Sequence, residues 1–242
     1  MISVFKKEIS QFFNSLIGYI VITVFLIGIG LFMWVFPQYS VLNYGFADLS
    51  TLFSMAPYVF MFLIPAITMR TFAEEKKDGT MEFLLTKPVT DWQIILGKYF
   101  SSIALVVFAL IPTLIYYVSV YSLGDPVGNI DSAAVAGSYI GLLLLAGVFT
   151  SIGIFASSIS SNQIVSFIIA LFLCFLVYQG FYYLSTIDFW GTAAAVIDQF
   201  GIQYHYDSLS RGLIDSRDVL YFVSIVFMML LFTKLIIGSR KW

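Results

Sequence analysis

Apolar and charged positions alternate along this chain on a long scale. Runs free of Asp, Glu and Arg cover residues 17–36, 49–69, 99–123, 133–159, 164–185 and 219–238, and only the last holds a lysine, Lys234. About 20 apolar residues rising about 1.5 Å each cross the hydrocarbon core of a bilayer, so the pattern predicts six transmembrane helices. The Lys234 stem is long enough to snorkel to an interface. Pro57 and Pro65 in the second run and Pro112 in the third mark sites of kinking or of tolerated proline. Before the first run, Val4, Phe5, Ile9, Phe12, Phe13 and Leu16 recur at helical spacing, with Lys6, Lys7, Ser10 and Gln11 elsewhere on the wheel. Residues 2–16 therefore read as an amphipathic helix in the membrane interface, or as a plain extension of the first span. Lys6 and Lys7 ahead of an apolar run imitate a secretion signal. The run is too long for one, and no small-x-small cleavage site follows.

Composition agrees with lipid as the main solvent. Of 242 residues, 60% are hydrophobic and 11% charged, against about 45–50% and about 25% in soluble domains. A net charge of -2 provides no basic field for nucleic acid. One cysteine, Cys174, makes no intrachain disulfide, and one histidine, His205, leaves no His-rich metal site. The 12 Lys and Arg residues fall unevenly on the loops. Lys6, Lys7, Arg70, Lys76, Lys77, Lys87, Lys98, Lys234, Arg240 and Lys241 share the side of both termini, and Arg211 and Arg217 are left opposite. By the positive-inside rule both termini are expected in the cytoplasm.

The largest cytoplasmic link, 70–98, begins as a charged helical continuation of the second span, broken at Asp78-Gly79. Thr80–Thr86 then offers Met81, Phe83, Leu84 and Leu85 beside Glu82, and Lys87-Pro88 ends it. Those apolar side chains need a groove on a partner, or lipid headgroups, to pack on. Thr90-Asp91-Trp92-Gln93 has the spacing of a capping box leading into the third span. On the other side, 186–218 holds an apolar stretch too short to span, with Ala193, Val196, Ile197 and Phe200 on one helical face. It is expected to lie flat or to dip back as a re-entrant segment. His205 reads as a solvated or interfacial residue rather than a ligand contact, and Asp215 with Asp218 as the cap of the last span. Gly137, Gly141, Gly147 and Gly153 line one span with small residues, which favours close helix packing within the chain.

Glu74-Glu75-Lys76-Lys77-Asp78-Gly79-Thr80-Met81-Glu82-Phe83-Leu84-Leu85, Lys87-Pro88-Val89 and Ile95-Leu96-Gly97-Lys98 together resemble the signature of ABC-2 type transporter permeases. The six spans, the amphipathic start and the large link before the last span extend this resemblance over the whole chain. The stretch His205–Tyr221 is similar to the tail of gliding-motility-associated permeases of Bacteroidetes. The resemblance implies an all-α membrane domain over 1–242 in a bacterial inner membrane, acting in export. In such permeases the first cytosolic link carries a coupling helix seated on an ATPase. This gives Glu74, Glu75, Gly79, Thr80, Glu82, Leu84 and Leu85 as candidate coupling residues, with Pro88, Thr90 and Gln93 as structural stops and caps. Implied partners are two copies of an ABC ATPase subunit, which would bind ATP and Mg, and a second permease half. That half is either a different membrane protein with an extracytoplasmic part or a second copy of this chain. No cofactor and no metal are expected on this chain.

Gly97-Lys98 is followed by Tyr99, and Trp92 stands where a phosphate-binding loop needs its first glycine, so the chain is not expected to hydrolyse ATP. Spans one to five lack the mid-membrane ionisable groups of ion-driven carriers. A non-transporting anchor or force-coupling component of a motility or secretion complex fits the same pattern.

Overall fold

The computed structural model describes residues 1–43, 45–82 and 89–239. Among these the secondary structure is helical throughout, with no strand. Helices α1 (Ile2–Phe13) and α2 (Leu16–Trp34) meet at a bend of 71°. The bend has a local cause: Ser15 leaves the helical conformation and its Oγ accepts from Gly18 N at 3.3 Å, opening a new helix rather than extending the old one.

Helix α3 (Ser50–Thr68) carries both Pro57 and Pro65 inside it and runs through Met69 into α4 (Arg70–Lys77). After it come α5 (Asp91–Leu110), a 3-10 turn at Ile111–Thr113 that contains Pro112, and α6 (Leu114–Leu123). Helix α7 (Ser132–Ile159) is capped by Asp131, whose Oδ1 accepts from Ala133 and Ala134 N at 3.1 and 3.0 Å. Helix α8 (Gln163–Phe175) is capped by Asn162 and continues through a π turn, Leu176–Gly180, into α9 (Phe181–Ser185). The link that follows holds α10 (Ala194–Asp198) and α11 (Ile202–Leu209). The chain then closes with α12 (Ser216–Gly238), where Asp215 accepts from Arg217 N at 2.8 Å.

Five stretches are long and apolar enough to cross a membrane: Ser50–Lys77, Asp91–Leu123, Ser132–Ile159, Gln163–Ser185 and Ser216–Gly238. The bent α1–α2 pair makes six if it counts as one span.

Helix α7 is the axis of the bundle. It packs against α3, α4, α5, α8, α11 and α12, and its most apolar window is 78% buried against 22% for α12. Its glycines explain why neighbours approach it so closely. A Cβ on Gly137 would stand 2.5 Å from the Gly212 carbonyl oxygen and 2.9 Å from its Cα, so the small residues are used inside the chain. At the opposite end of α7, Ser157 Oγ accepts from Phe72 N (3.0 Å) and Ala73 N (3.1 Å) and donates to Met69 O at 3.0 Å. This holds α4 as the direct continuation of α3.

Candidate functional site

At the end of the bundle that carries α1, charged side chains lie on faces that ought to be apolar. On α5, Lys98 shares a stripe with Ile94, Ile95, Ser101, Ser102 and Leu105, all buried, and is itself 0% exposed. On α1, Glu8 lies between Val4 and Phe12, both buried. Helical spacing puts each charge on its helix's inner face. A charge so placed is stable only when paired and hydrogen-bonded, and the two charges find each other. Lys98 Nζ lies 2.7 Å from Glu8 Oε1 and 3.1 Å from Glu75 Oε1, and donates to Thr71 O at 2.5 Å. The Phe72 ring is 5.0 Å from the ammonium. Lys98 therefore joins α1, α4 and α5 through one nitrogen.

The cluster extends outward. Lys7 donates to Glu75 Oε1 at 2.8 Å. Partial burial pulls the Lys7 ammonium down, but Glu75, with Glu8 and Glu74 beyond it, outweighs this and holds its pKa above the ordinary lysine value. Glu74 takes Arg70 in a two-point pair, at 3.1 and 3.2 Å, and accepts from Gln11 at 3.3 Å. Lys76 reaches the Ser158 carbonyl at the end of α7. A cavity of about 150 Å³ adjoins this group, and Glu75 Oε2 is buried with no hydrogen-bond partner among the described residues.

The turn after α4 is exposed from Lys77 to Thr80. Gly79 adopts φ +68°, the left-handed region where a Cβ is costly. Thr80 folds back over α4, its N donating to Glu75 O at 2.9 Å and its hydroxyl to the same oxygen at 3.3 Å. Glu82 is exposed. Met81, expected to need an external groove, is instead buried with Phe72, Ile94, Ile95, Ile154, Leu230 and Ile237. Leu84, Leu85 and Pro88 lie outside the described residues. Where the chain resumes, Thr90 Oγ1 accepts from Gln93 N at 3.3 Å and Gln93 Oε1 from Thr90 N at 3.1 Å. Lys234 Nζ stands 5.2 Å from the centre of the Trp92 ring.

The structure thus divides the candidate coupling residues. Glu74 and Glu75 face inward to α1 and α5, whereas Gly79, Thr80 and Glu82 form the outer turn. Lys98 and Glu8 belong to the same network. A lysine and a glutamate on the buried stripes of two helices were the signal for them.

At the far end, α11 is docked into the bundle. Tyr206 is 1% exposed and its hydroxyl donates to Phe53 O at 2.7 Å. The backbone stays helical from Ala193 to Gln199, so Ala193, Val196 and Ile197 of the expected apolar face fall on one short helix. A 3-10 turn, Asp188–Ala193, kinks at Gly191 (φ 49°), and α10 is only five residues long. Asp218, expected as a cap beside Asp215, turns away from its own helix end. Its Oδ1 is 2.7 Å from His205 Nδ1 and its Oδ2 accepts from Ser208 at 2.6 Å. His205 is partly buried, held by Asp218 and with its ring stacked on Tyr221 at 3.9 Å. Burial raises the Asp207 pKa above the ordinary carboxylate value. Arg211 draws it down, and Asp198 adds to the rise.

Comparison with curated proteins returns no match. The family model described as "ABC-2 family transporter protein" matches residues 2–235, a range that takes in the first five predicted spans and most of the sixth, the Lys98 cluster, the turn after α4 and the docked α11. In that family the chain is a membrane-embedded, typically non-catalytic subunit that works with an ABC ATPase. This chain belongs to the ABC-2 transporter family and is a membrane permease subunit of an ABC transporter.

Proposed function

We propose that the turn after α4, with the residues that follow it up to the Thr90 cap, is the contact through which a cytosolic ATPase drives this permease, and that Lys98 distributes the push. The carrying observation is the Lys98 ammonium, shared by Glu8, Glu75 and the Thr71 carbonyl and therefore by three helices. A rigid-body shift of α4 then moves α1 and α5 together, because separating them would strand a buried charge. Gly79, Thr80 and Glu82 are the exposed part of this device. Leu84 and Leu85 are assigned to it by their place in the resembling motif. The bias of Lys and Arg toward the α1 end supports a cytoplasmic position for both termini in a bacterial inner membrane. The amphipathic pattern of α1 supports an interfacial position for that helix.

On this reading 1–242 is one transmembrane domain, and ATP and Mg are bound by the ATPase, present in two copies. A second permease half, either a distinct membrane protein with an extracytoplasmic part or a second copy of this chain, completes the pathway. Export in the service of gliding motility is supported by the resemblance of the His205–Tyr221 stretch. The test is ATP hydrolysis by the reconstituted complex. Glu82→Lys, and separately Leu84→Asp with Leu85→Asp, are expected to abolish stimulation of the ATPase while the protein stays in the membrane at wild-type level. Wild-type stimulation in both variants would refute the assignment.

A further inference from the structure

The far end of the bundle holds a group that coupling to an ATPase does not use. His205 is the only histidine in the chain. Its Nδ1 lies 2.7 Å from Asp218 Oδ1 and its Nε2 3.0 Å from the Gln199 carbonyl oxygen. A backbone carbonyl only accepts, so the second contact needs a hydrogen on Nε2. The first contact then needs another hydrogen, on the imidazole or on the carboxyl. Ser208 does not supply it, because its one hydroxyl hydrogen is shared between Oδ2 of the same carboxylate at 2.6 Å and the His205 carbonyl at 3.0 Å, and neither contact is to Nδ1. Both ring contacts are therefore made together only while the His205–Asp218 pair holds one proton more than a neutral imidazole and a free carboxylate. The proton belongs to the pair, whichever atom carries it.

We infer that the His205–Asp218 pair is a proton-binding site that latches residues 199–208 onto α12, so that releasing one proton to solvent loosens one wall of the far-end cavity. That cavity measures about 770 Å³, and Tyr204, His205, Asp207, Arg211 and Tyr221 are among the residues that line it. Without the extra proton, either the Nδ1 lone pair faces the carboxylate or Nε2 faces the carbonyl without a hydrogen. Both arrangements repel, and the ring leaves one of its two anchors. Two ties to α12 survive the loss: Tyr221 donates to the Phe200 carbonyl, and Ser208 to Asp218. The segment therefore loosens without undocking, and Tyr206 stays seated on Phe53.

Other charged groups line the same cavity: Asp215 and Arg217 from the start of α12, and Asp207 and Arg211 from α11 and the turn after it. Asp198, from the end of α10, acts on Asp207. Among the described residues none of these hydrogen-bonds the imidazole, and Arg211 Nε is already committed to the Asp207 carbonyl at 3.0 Å. Tyr221 stacks on the ring face, and Tyr204 meets it edge-on at 5.3 Å. Asp218 is thus the acidic partner at contact distance.

Because the chain has one histidine, the test is clean. The full-length protein, labelled with 15N-histidine and held in lipid nanodiscs, gives one pair of ring-nitrogen resonances to follow as pH is raised. Amide exchange protection over 199–208 is measured in the same samples. The expected result is a single step in which the ring resonances lose the bonded-proton pattern on one nitrogen. Residues 199–208 lose protection in that same step, and α7 keeps its own. In Asp218→Asn, protection over 199–208 is expected to be low and without this pH step. Protection of 199–208 that stays constant through the ring's titration would overturn the inference, and so would a ring singly protonated at every pH beside an ionised Asp218. Both readings come from the wild-type chain and stand even if the variant does not fold.

Discussion

Replacing Lys98 by Met tests the buried cluster directly. Methionine is close in volume and fills the same slot between α1, α4 and α5, so the change removes charge with little loss of packing. In the wild-type protein the ammonium, 0% exposed, faces Glu8 at 2.7 Å, Glu75 at 3.1 Å and the Thr71 carbonyl at 2.5 Å. Removing one partner of a buried pair typically costs about 3–5 kcal/mol because the other charge is left behind. Here Glu75 keeps Lys7 at 2.8 Å, so a cost near the lower figure, about 3 kcal/mol, is expected. At about 2–4 °C per kcal/mol for a chain of this size, the midpoint of thermal unfolding in mild detergent should fall by about 6–12 °C.

A second variant separates charge from shape. Lys98→Met combined with Glu8→Gln and Glu75→Gln leaves no buried charge stranded, since Lys7, which loses Glu75, is half exposed, and should recover most of the loss. It should nevertheless remain poor at stimulating the ATPase, since the three helices are no longer tied through one nitrogen. An unfolding midpoint for Lys98→Met within about 1 °C of wild type, well inside the shift a broken buried pair produces, would refute the reasoning. So would a triple variant no more stable than the single one.

Other outcomes follow from the same structure. Gly137→Ala places a Cβ 2.5 Å from the Gly212 carbonyl oxygen, so one of the two backbones has to shift. A loss of about 1–3 kcal/mol should lower the unfolding midpoint. Gly79→Ala puts a Cβ on a left-handed residue at φ +68° and should cost about 1 kcal/mol. Because the turn is exposed, the loss should show in ATPase stimulation more than in melting, and Gly79→Asn should be milder. Asp207 has its pKa raised by burial. A carboxylate raised in the folded state favours folding below its unfolded pKa and loses that advantage as pH rises through the folded value. Asp207→Asn should therefore unfold at a slightly higher temperature than wild type at neutral pH, and this gain should vanish in acid.

Much of this architecture was legible in the sequence, because lipid imposes a coarse rule. Charge-free runs longer than a bilayer is thick have to be helices, and Asp131, Asn162, Thr90 and Asp215 each cap one where a run begins. The glycines of α7 were legible for a similar reason, since small residues in a span serve close approach. Lys98 and Glu8 were harder to read. Lys98 counted as a loop charge simply adds to the Lys and Arg bias, Glu8 does not enter that count, and their meaning emerges only when each is seen on the buried stripe of its helix.

Glu74 and Glu75 are in a signature motif, but sequence gives no sign that they face inward to α1 while Gly79 and Glu82 face out. The far-end link misled for a physical reason. Asp218, close to the cap residue Asp215, prefers a histidine and a serine from α11 to the amide groups of its own first turn.

The central claim is that an ATPase docks on the turn after α4. A photo-crosslinking amino acid placed at Glu82, and in a second variant at Trp190 on the opposite end of the bundle, tests it in native membranes. The account predicts that position 82 captures a chain bearing a phosphate-binding loop and that position 190 does not. Capture of no such chain from position 82, or equal capture from both positions, would contradict it.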